Sequence, residues 1–111
     1  MKSAAARELT AQAPVFAALG DETRLRVVAR LCEQAPLSIT QLAEGSPLTR
    51  QAVTKHLRVL EDVGLVRGVK CGREHTFELE PEPQLGAKRY LDLVSAQWDE
   101  MLGRLKEFVE E

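Results

Sequence analysis

Polar and apolar side chains in residues 50–61 separate onto opposite sides of a helix. At about 100° per residue, an arc of about 140° holds the polar positions, which are Arg50, Gln51, Thr54, Lys55, Arg58 and Glu61. The opposite side holds the apolar positions, which are Ala52, Val53, Leu57, Val59 and Leu60. This pattern predicts an amphipathic helix that packs on one side and presents long hydrogen-bond donors on the other.

A second, shorter helix is predicted just before this one. Ser38 and Gln41 have the spacing of a capping box, in which each side chain satisfies a free backbone N–H. Gly45 is typical of the position that follows a helix, and Thr49 is placed to cap the next helix through its hydroxyl. Two helices joined by a turn at residues 46–48 predict a helix-turn-helix.

A β-hairpin is predicted immediately after the helix-turn-helix. Residues 65–79 contain two β-prone runs on either side of a turn that includes Gly72. A hairpin in this position predicts a winged helix, with Lys70 and Arg73 at the tip of the wing and Arg67 at its base. These cations are expected to flank the second helix and to meet the DNA backbone or the minor groove. The predicted fold class is therefore mainly α with a small β-hairpin wing.

Three further helices are predicted outside the helix-turn-helix and the wing. They cover about residues 3–18, 21–34 and 83–109, and Asp21 is a good N-terminal cap for the second of them. Leu25, Val28 and Cys32 share one face of that helix. They are predicted to belong to the core.

The last helix carries an apolar stripe. Its members are spaced alternately by three and four residues, and they are Leu91, Val94, Trp98, Met101, Leu105 and Phe108. Such a stripe is typical of a helix-helix seam, although the helix could also fold back on its own chain. Roughly 25 residues span about 37 Å, which is longer than the core of a small domain requires. A symmetric dimer interface is therefore favoured, with the first helix packed alongside.

The length and charge of the chain refine this interpretation. The 111 residues suit one domain, with a winged-helix core at 18–80 and dimerisation helices at 1–17 and 83–111. The net charge is −2, but residues 49–76 hold six basic and three acidic groups, whereas 77–111 hold four and nine. Positive charge is thus concentrated on the predicted DNA-facing segment. The sequence has no run of about 20 apolar residues, the length needed to span a bilayer. Arg7 and Glu8 interrupt the N-terminal segment before a signal-peptide core could form, so a cytoplasmic protein is expected.

Several side chains of the helix-turn-helix and the wing are candidates for contact with DNA. Arg, Gln and Lys reach base edges or phosphates from the major groove, and Thr can bond a phosphate or touch a thymine methyl. The candidates are Ser38, Thr40, Thr49, Arg50, Gln51, Thr54, Lys55, Arg58 and Arg73. The charged face of the helix at residues 50–61 could also be exposed to solvent without binding anything. DNA binding is favoured because the hairpin predicted at residues 65–79 completes a winged helix.

The chain resembles the ArsR family of bacterial winged-helix repressors over residues 16 to about 84. The phrases GDETRLR, VTKHLRVLEDVGLV and GRE carry the resemblance together. It implies a homodimer that binds an operator near a promoter and represses transcription, with two α-helices reading half-sites of an inverted repeat about one DNA turn apart.

The resemblance does not extend to the metal sites of the family. Metal-sensing members carry a Cys-x-Cys pair where this chain has Ser38 and Thr40. A second family site uses Asp, His and Glu on the last helix, but His56 and His75 are the only histidines and both lie elsewhere. No metal or other cofactor is therefore expected. His56 falls on the apolar side of its helix and is interpreted as a packing histidine, and His75 receives no role.

Two cysteines raise the question of a thiol switch. Cys32 is predicted to pack as a small apolar residue. Cys71 is predicted to be exposed at the wing tip, where Lys70 and Arg73 would favour its thiolate. A redox effect on binding by the wing is accordingly a hypothesis.

Other functions are weighed against DNA binding. The chain has no G-x-S-x-G, phosphate-binding Gly-rich loop, H-E-x-x-H or C-x-x-C motif, so a non-enzymatic function is expected. The main alternative is a winged-helix adaptor that dimerises and binds another protein. An adaptor does not require Arg50, Gln51, Lys55, Arg58 and Arg73 together, and their presence favours DNA.

Overall fold

The computed structural model describes residues 4–110, except for the side chains of residues 4–6 and of Cys71. Within that range, helices and strands follow in the order α1 (Ala4–Leu19), α2 (Glu22–Gln34), β1 (Leu37–Ser38), α3 (Ile39–Ala43), α4 (Arg50–Asp62), β2 (Val66–Cys71), β3 (Glu74–Leu79) and α5 (Pro81–Glu110). This is a helical fold with a small antiparallel sheet, and it confirms the predicted winged helix-turn-helix.

Local capping chemistry places the ends of the helices where the sequence predicts them. The Oδ2 atom of Asp21 accepts a hydrogen bond from the backbone N–H of Arg24 at the start of α2. Ser38 and Gln41 form the complete capping box of α3. Thr49 caps α4, and Gly45 takes a positive φ of 74° in the turn between α3 and α4, a conformation that favours glycine.

The wing is a two-stranded hairpin extended by a third, very short strand. β2 and β3 pair from Val66 with Leu79 to Cys71 with Glu74, so the turn has two residues and begins with Gly72 at a φ of 64°. β1 pairs with β3 on the other side, which gives the order β1-β3-β2. β1 was not predicted from the sequence. It joins the start of α3 directly to the wing.

The core lies between α2, α4 and the sheet. Its largest fully buried side chains are Leu31, Leu57, Leu60, Leu65 and Val53. Val15 and Ala18 extend this cluster into α1, and Ala87 extends it into α5. The apolar side predicted for α4 therefore faces the core, except that Val59 is exposed.

The predicted core face of α2 is confirmed for Val28, which packs against the core, and is wrong for Leu25 and Cys32. Leu25 is 50% exposed and Cys32 is exposed, whereas Val27 and Leu31 are buried. Val28 is half-buried. Apolar residues of α2 occupy a wide arc, and the elements that pack on it bury the side of that arc that holds Val27 and Leu31. The opposite side, which holds Leu25 and Cys32, stays exposed.

α5 begins inside the domain and continues well beyond it. The ring of Tyr90 packs against that of Phe16 in α1, with centroids 5.5 Å apart. Gln12 of α1 packs directly against Gly86 of α5. A Cβ at Gly86 would lie 2.5 Å from Nε2 of Gln12, so only glycine leaves room for this contact. The molecule measures 65 × 31 × 20 Å, and its length reflects a helix of 30 residues, about 45 Å. No helix within residues 4–110 is long and apolar enough to cross a membrane.

Candidate nucleic-acid interface

The outward side of α4 forms the centre of the candidate interface. Arg50, Gln51, Lys55 and Arg58 are exposed on it, while Val53, on the opposite side of the helix, is buried in the core. With Ile39 and Thr54, these four residues line a concave surface with a volume of about 380 Å³. The helix thus rests on its apolar side and leaves its long polar side chains to solvent.

A second concave region joins α4 to the wing. Its volume is about 480 Å³, and its lining residues are Ser38, Ile39, Thr40, Gln41, Arg50, Arg73, Glu74 and His75. Arg50 and Ile39 line both regions, so the surface is continuous from Arg58 to the wing tip. Pairing of β1 with β3 explains this juxtaposition, because it fixes Ser38 beside Thr76. We call the two regions together the polar surface.

Most of the predicted DNA-contacting residues come together on the polar surface. Thr49 is the exception, since it does not line either concave region. Its Oγ1 caps α4 by accepting a hydrogen bond from the backbone N–H of Ala52 at 3.1 Å. The polar surface also contains four residues that were not predicted to contact DNA, namely Ile39, Gln41, Glu74 and His75. The short strand β1 pairs with β3 and so brings the wing beside α3. No local pattern in the sequence predicts that pairing.

The positive charges of the polar surface are not neutralised by neighbouring carboxylates. Within residues 4–110, no ion pair is formed by Arg50, Lys55, Arg58 or Arg73. Cations without such partners are free to bind phosphate oxygens, and the release of counterions from DNA then favours binding.

Arg67, at the base of the wing, differs from these four cations because it forms ion pairs within the protein. Its guanidinium forms ion pairs with both Glu78 and Glu80. The hydrogen bond and the charge of Glu78 raise the pKa of Arg67 above its ordinary value. The register of the hairpin causes this pairing, because it sets Arg67 opposite Glu78.

The hydroxyl groups of the polar surface are partly engaged within the protein. Thr54 donates its hydroxyl proton to the carbonyl oxygen of Arg50 at 2.8 Å. Ser38 Oγ accepts from the backbone N–H of Gln41 at 3.1 Å, so its own proton is available to a phosphate oxygen. Thr40 is exposed at the start of α3.

The two histidines occupy different environments. His56 is half-buried on the inner side of α4, and its Nδ1 lies 3.4 Å from Nη1 of Arg24. His75 lies on the wing with its ring 4.7 Å from that of Phe77. The absence of a side chain at Gly68 makes room for this ring, because a Cβ there would lie 2.4 Å from Nε2 of His75.

Of the two cysteines, the structure describes the side chain of Cys32 alone. Cys32 is a free, exposed thiol on α2 rather than the packed residue predicted. The side chain of Cys71, on which the redox hypothesis mainly rests, lies outside the described part of the chain.

Comparison with known proteins identifies the family. A model described as a helix-turn-helix domain matches residues 19–69. An uncharacterized HTH-type transcriptional regulator of Bacillus subtilis is 37% identical over 75 residues, which cover 62% of this chain and 82% of that protein. A solved ArsR-like transcriptional regulator from Rhodococcus sp. RHA1 is 38% identical, with a TM-score of 0.77 over 92% of this chain and 93% of its own. The chain belongs to the ArsR family.

A protein named as a repressor is also similar to this chain. The arsenical resistance operon repressor of Escherichia coli is 30% identical over 78 residues, which cover 70% of this chain and 67% of that protein. As an ArsR-family protein with a winged helix-turn-helix, the chain is a DNA-binding transcriptional regulator.

Proposed function

We propose that the protein is a homodimeric repressor that binds an inverted-repeat operator in the bacterial cytoplasm. The observation that carries this proposal is the continuous polar surface, where Arg50, Lys55, Arg58 and Arg73 are without ion-pair partners in the described chain. Four cations distributed over α4 and the wing suit the two strands that border a major groove.

The proposed roles follow from the position of each side chain. Arg50, Gln51, Thr54 and Lys55 face the major groove from the polar surface, where Gln can read adenine and Arg can read guanine through two hydrogen bonds. Thr49 is exposed beside that surface, at the start of α4, and is proposed to face the groove from there. Phosphate contacts come from the residues at the edges of the polar surface, namely Ser38 or Thr40, Arg58 and Arg73. Because Thr54 donates to the backbone, it offers a base its methyl group or an acceptor oxygen.

The exposed stripe of α5 supports the proposed dimer. Trp98 is 60% exposed, Leu105 52% and Phe108 77%. The remaining positions of the stripe are Leu91, Val94 and Met101, of which Val94 is half-buried and the other two are exposed. An apolar patch of this kind is usually covered by a partner, and burial contributes roughly 25 cal/mol per Å².

We propose that residues 18–80 form the winged-helix core and that residues 1–17 and 83–111 serve dimerisation, of which residues 1–3 and 111 lie outside the described part of the chain. Val15 and Ala87, within the two dimerisation segments, also contribute to the core. Leu9 of α1 is half exposed, and α1 packs against α5 through Phe16 and Tyr90. A second copy of the chain would cover both helices and set two α4 helices about 34 Å apart, one turn of DNA.

Repression is proposed because the E. coli relative is named as a repressor. A dimer bound across a promoter would exclude polymerase. We propose that it does so without the Cys-x-Cys metal site. Ser38 stands at one of the two positions, and its hydroxyl serves as a helix cap.

The experiment is a fluorescence anisotropy titration with the promoter DNA upstream of the gene, compared with scrambled DNA over a salt series. We expect a preference of roughly 10³-fold or more and a steep salt slope. Equal, weak binding to both DNAs, together with no sequence enriched in a selection of bound fragments from the genome, would overturn the proposal in favour of a protein adaptor.

A further inference from the structure

A further cleft, separate from the polar surface, lies beside the turn of the helix-turn-helix. Its volume is about 370 Å³, and it is formed between α2 and the turn that joins α3 to α4. Val27, Leu42 and Leu48 give it apolar walls, and the first two belong to the buried core. None of its lining residues belongs to the polar surface. We call it the turn cleft, and its volume is within the range of small-molecule sites, about 300–1,000 Å³.

Arg30 provides an anchored cation in the turn cleft. Its Nη1 donates to the carbonyl oxygens of Leu42 at 2.9 Å and of Glu44 at 3.4 Å. Among the residues that the structure describes, Nε and Nη2 of the same guanidinium have no partner. The guanidinium is thus held in place through Nη1, and the edge formed by Nε and Nη2 is available to bind a ligand. That edge matches a carboxylate, which accepts two parallel hydrogen bonds from it.

Arg26 adds a second positive charge to the lining. Its ion pair with Glu22 is exposed at both ends, with 73% and 79% of the side chains accessible. Such a pair is weak in water, so Arg26 can exchange Glu22 for a ligand at little cost. Of the described residues that line the cleft, Arg26 and Arg30 are basic and Glu44 is acidic. The lining therefore becomes positive overall once Arg26 leaves Glu22 for a ligand.

We propose that the turn cleft binds a small organic anion in which one carboxylate is attached to an apolar body. Arg30, assisted by Arg26, would hold the carboxylate, and Val27, Leu42 and Leu48 would contact the body. Glu44 opposes a second negative charge and so favours a monoanion. A cationic ligand is disfavoured, because it would meet two guanidinium groups for one carboxylate.

Occupation of the turn cleft affects DNA binding if the proposed function holds. Residues 45–48 of the lining lead directly into Thr49 and Arg50. A ligand wedged between α2 and this turn would displace the start of α4, where the major-groove contacts are proposed. The anion would therefore act as an inducer that lowers operator affinity.

The site is tested first without DNA, by calorimetric titration of the full chain with 1-naphthylacetate. The uncharged 1-naphthylacetamide is the matched control ligand. We expect saturable binding of the acid, with the amide weaker by about tenfold, as loss of a charge-assisted hydrogen bond implies. Equal affinity for the acid and the amide, or no binding of the acid up to about 1 mM, would overturn the proposal.

Substitutions distinguish the turn cleft from other sites. Arg30→Gln and Arg26→Gln should weaken binding of the acid, whereas Glu44→Gln should strengthen it severalfold. Arg104→Gln removes an exposed i,i+4 pair with Glu100 on α5 and should leave binding unchanged. Arg30 also bonds the backbone of α3, so Arg26→Gln and Glu44→Gln, both at exposed positions, decide the matter if Arg30→Gln fails to fold. Weaker binding by Glu44→Gln would contradict an anionic occupant.

The coupling to DNA is measured separately, by adding the acid to the anisotropy titration. Lower operator affinity in wild type, with a smaller effect in Arg26→Gln, supports an inducer. Saturable binding of the acid with unchanged operator affinity supports the site and overturns the coupling. Absence of specific DNA binding would count against the proposed function alone, because ligand binding is measured without DNA.

Discussion

Nδ1 of His56 lies 3.4 Å from Nη1 of Arg24, and this contact joins α4 to the junction of α1 and α2. Nε of the same arginine donates to the carbonyl oxygen of Ala18 at 2.5 Å. Oδ2 of Asp21 lies 3.9 Å from Nδ1 of His56. Arg24 therefore connects three helices, and polar contacts help apolar packing to orient α4. His56 is half-buried and has a hydrogen-bond partner within the protein, which agrees with its interpretation as a hydrogen-bonded packing histidine.

Replacement of Arg24 tests this connection. Arg24→Met keeps an apolar side chain but leaves the carbonyl of Ala18 without its donor, so we expect a loss of about 1–3 kcal/mol in the free energy of unfolding. Urea denaturation measures it. Arg104→Met is the control, because its exposed pair with Glu100 should contribute less than about 1 kcal/mol. Equal losses in the two variants would show that the three-helix connection does not stabilise the fold.

Asp21 should make stability depend on pH in acid. The hydrogen bond from the backbone N–H of Arg24, with the charge of Arg24, holds the pKa of Asp21 below its usual 3.8. The ionised carboxyl therefore stabilises the fold above the unfolded pKa, and this contribution is lost as pH falls through the lower folded pKa.

Asp21→Asn keeps a capping side chain but removes this titration. We expect the decrease in Tm below about pH 4 to be less steep in the variant, as measured by circular dichroism from about pH 6 to pH 2.5. Parallel curves for the two proteins would contradict this role of the carboxyl.

Gln51 and Arg73 should affect DNA binding in different ways. Gln51→Ala should cost about 1–3 kcal/mol on the cognate operator and relax the preference at one base pair, because it removes a proposed base contact. Arg73→Ala should weaken all sequences similarly and reduce the salt slope by about 1. Anisotropy on matched and mismatched operators measures both effects. Equal losses on the two DNAs for Gln51→Ala would contradict its assignment.

Leu105→Glu should separate the proposed dimer, because it places a charge among the exposed apolar side chains of α5. Analytical ultracentrifugation at micromolar concentration measures the outcome. Ala96→Glu adds the same charge at an exposed position on the opposite side of the helix and should remain dimeric. A monodisperse dimer of Leu105→Glu would refute the interface.

Two glycines of α5 should respond differently to alanine. A Cβ at Gly103 would meet nothing within 4 Å, so Gly103→Ala should stabilise the protein by about 0.5–1 kcal/mol through helix propensity. A Cβ at Gly86 would lie 2.5 Å from Nε2 of Gln12, and Gly86→Ala should gain less because Gln12 must move. Denaturant unfolding measures both. A larger gain at Gly86 would show that Gln12 does not pack as described.

The features predicted correctly are those that depend on local chemistry. Asp21, Ser38 and Thr49 cap helices through bonds that span three residues, and glycine at the wing turn is likewise a local signal. The polar side of α4 follows from helix geometry alone. These signals are sufficient to predict a winged helix and most of the polar surface.

The errors concern features that depend on distant parts of the chain. Leu25 lies within the apolar arc of α2, and only the packed structure reveals which part of that arc is buried. β1 exists because Leu37 pairs with Phe77, forty positions away. Arg67 is neutralised because strand register sets it opposite Glu78. None of these relationships has a signature in the adjacent sequence.

α5 runs as one helix from Ala87 in the core to the exposed stripe beyond Leu91. A helix without a break has no hinge, so each winged-helix unit of the proposed dimer would move rigidly with its own α5. The crossing angle of the two α5 helices would then determine the distance between the two α4 helices. Substitutions at that crossing should therefore alter the preferred spacing of operator half-sites without changing any residue that faces DNA.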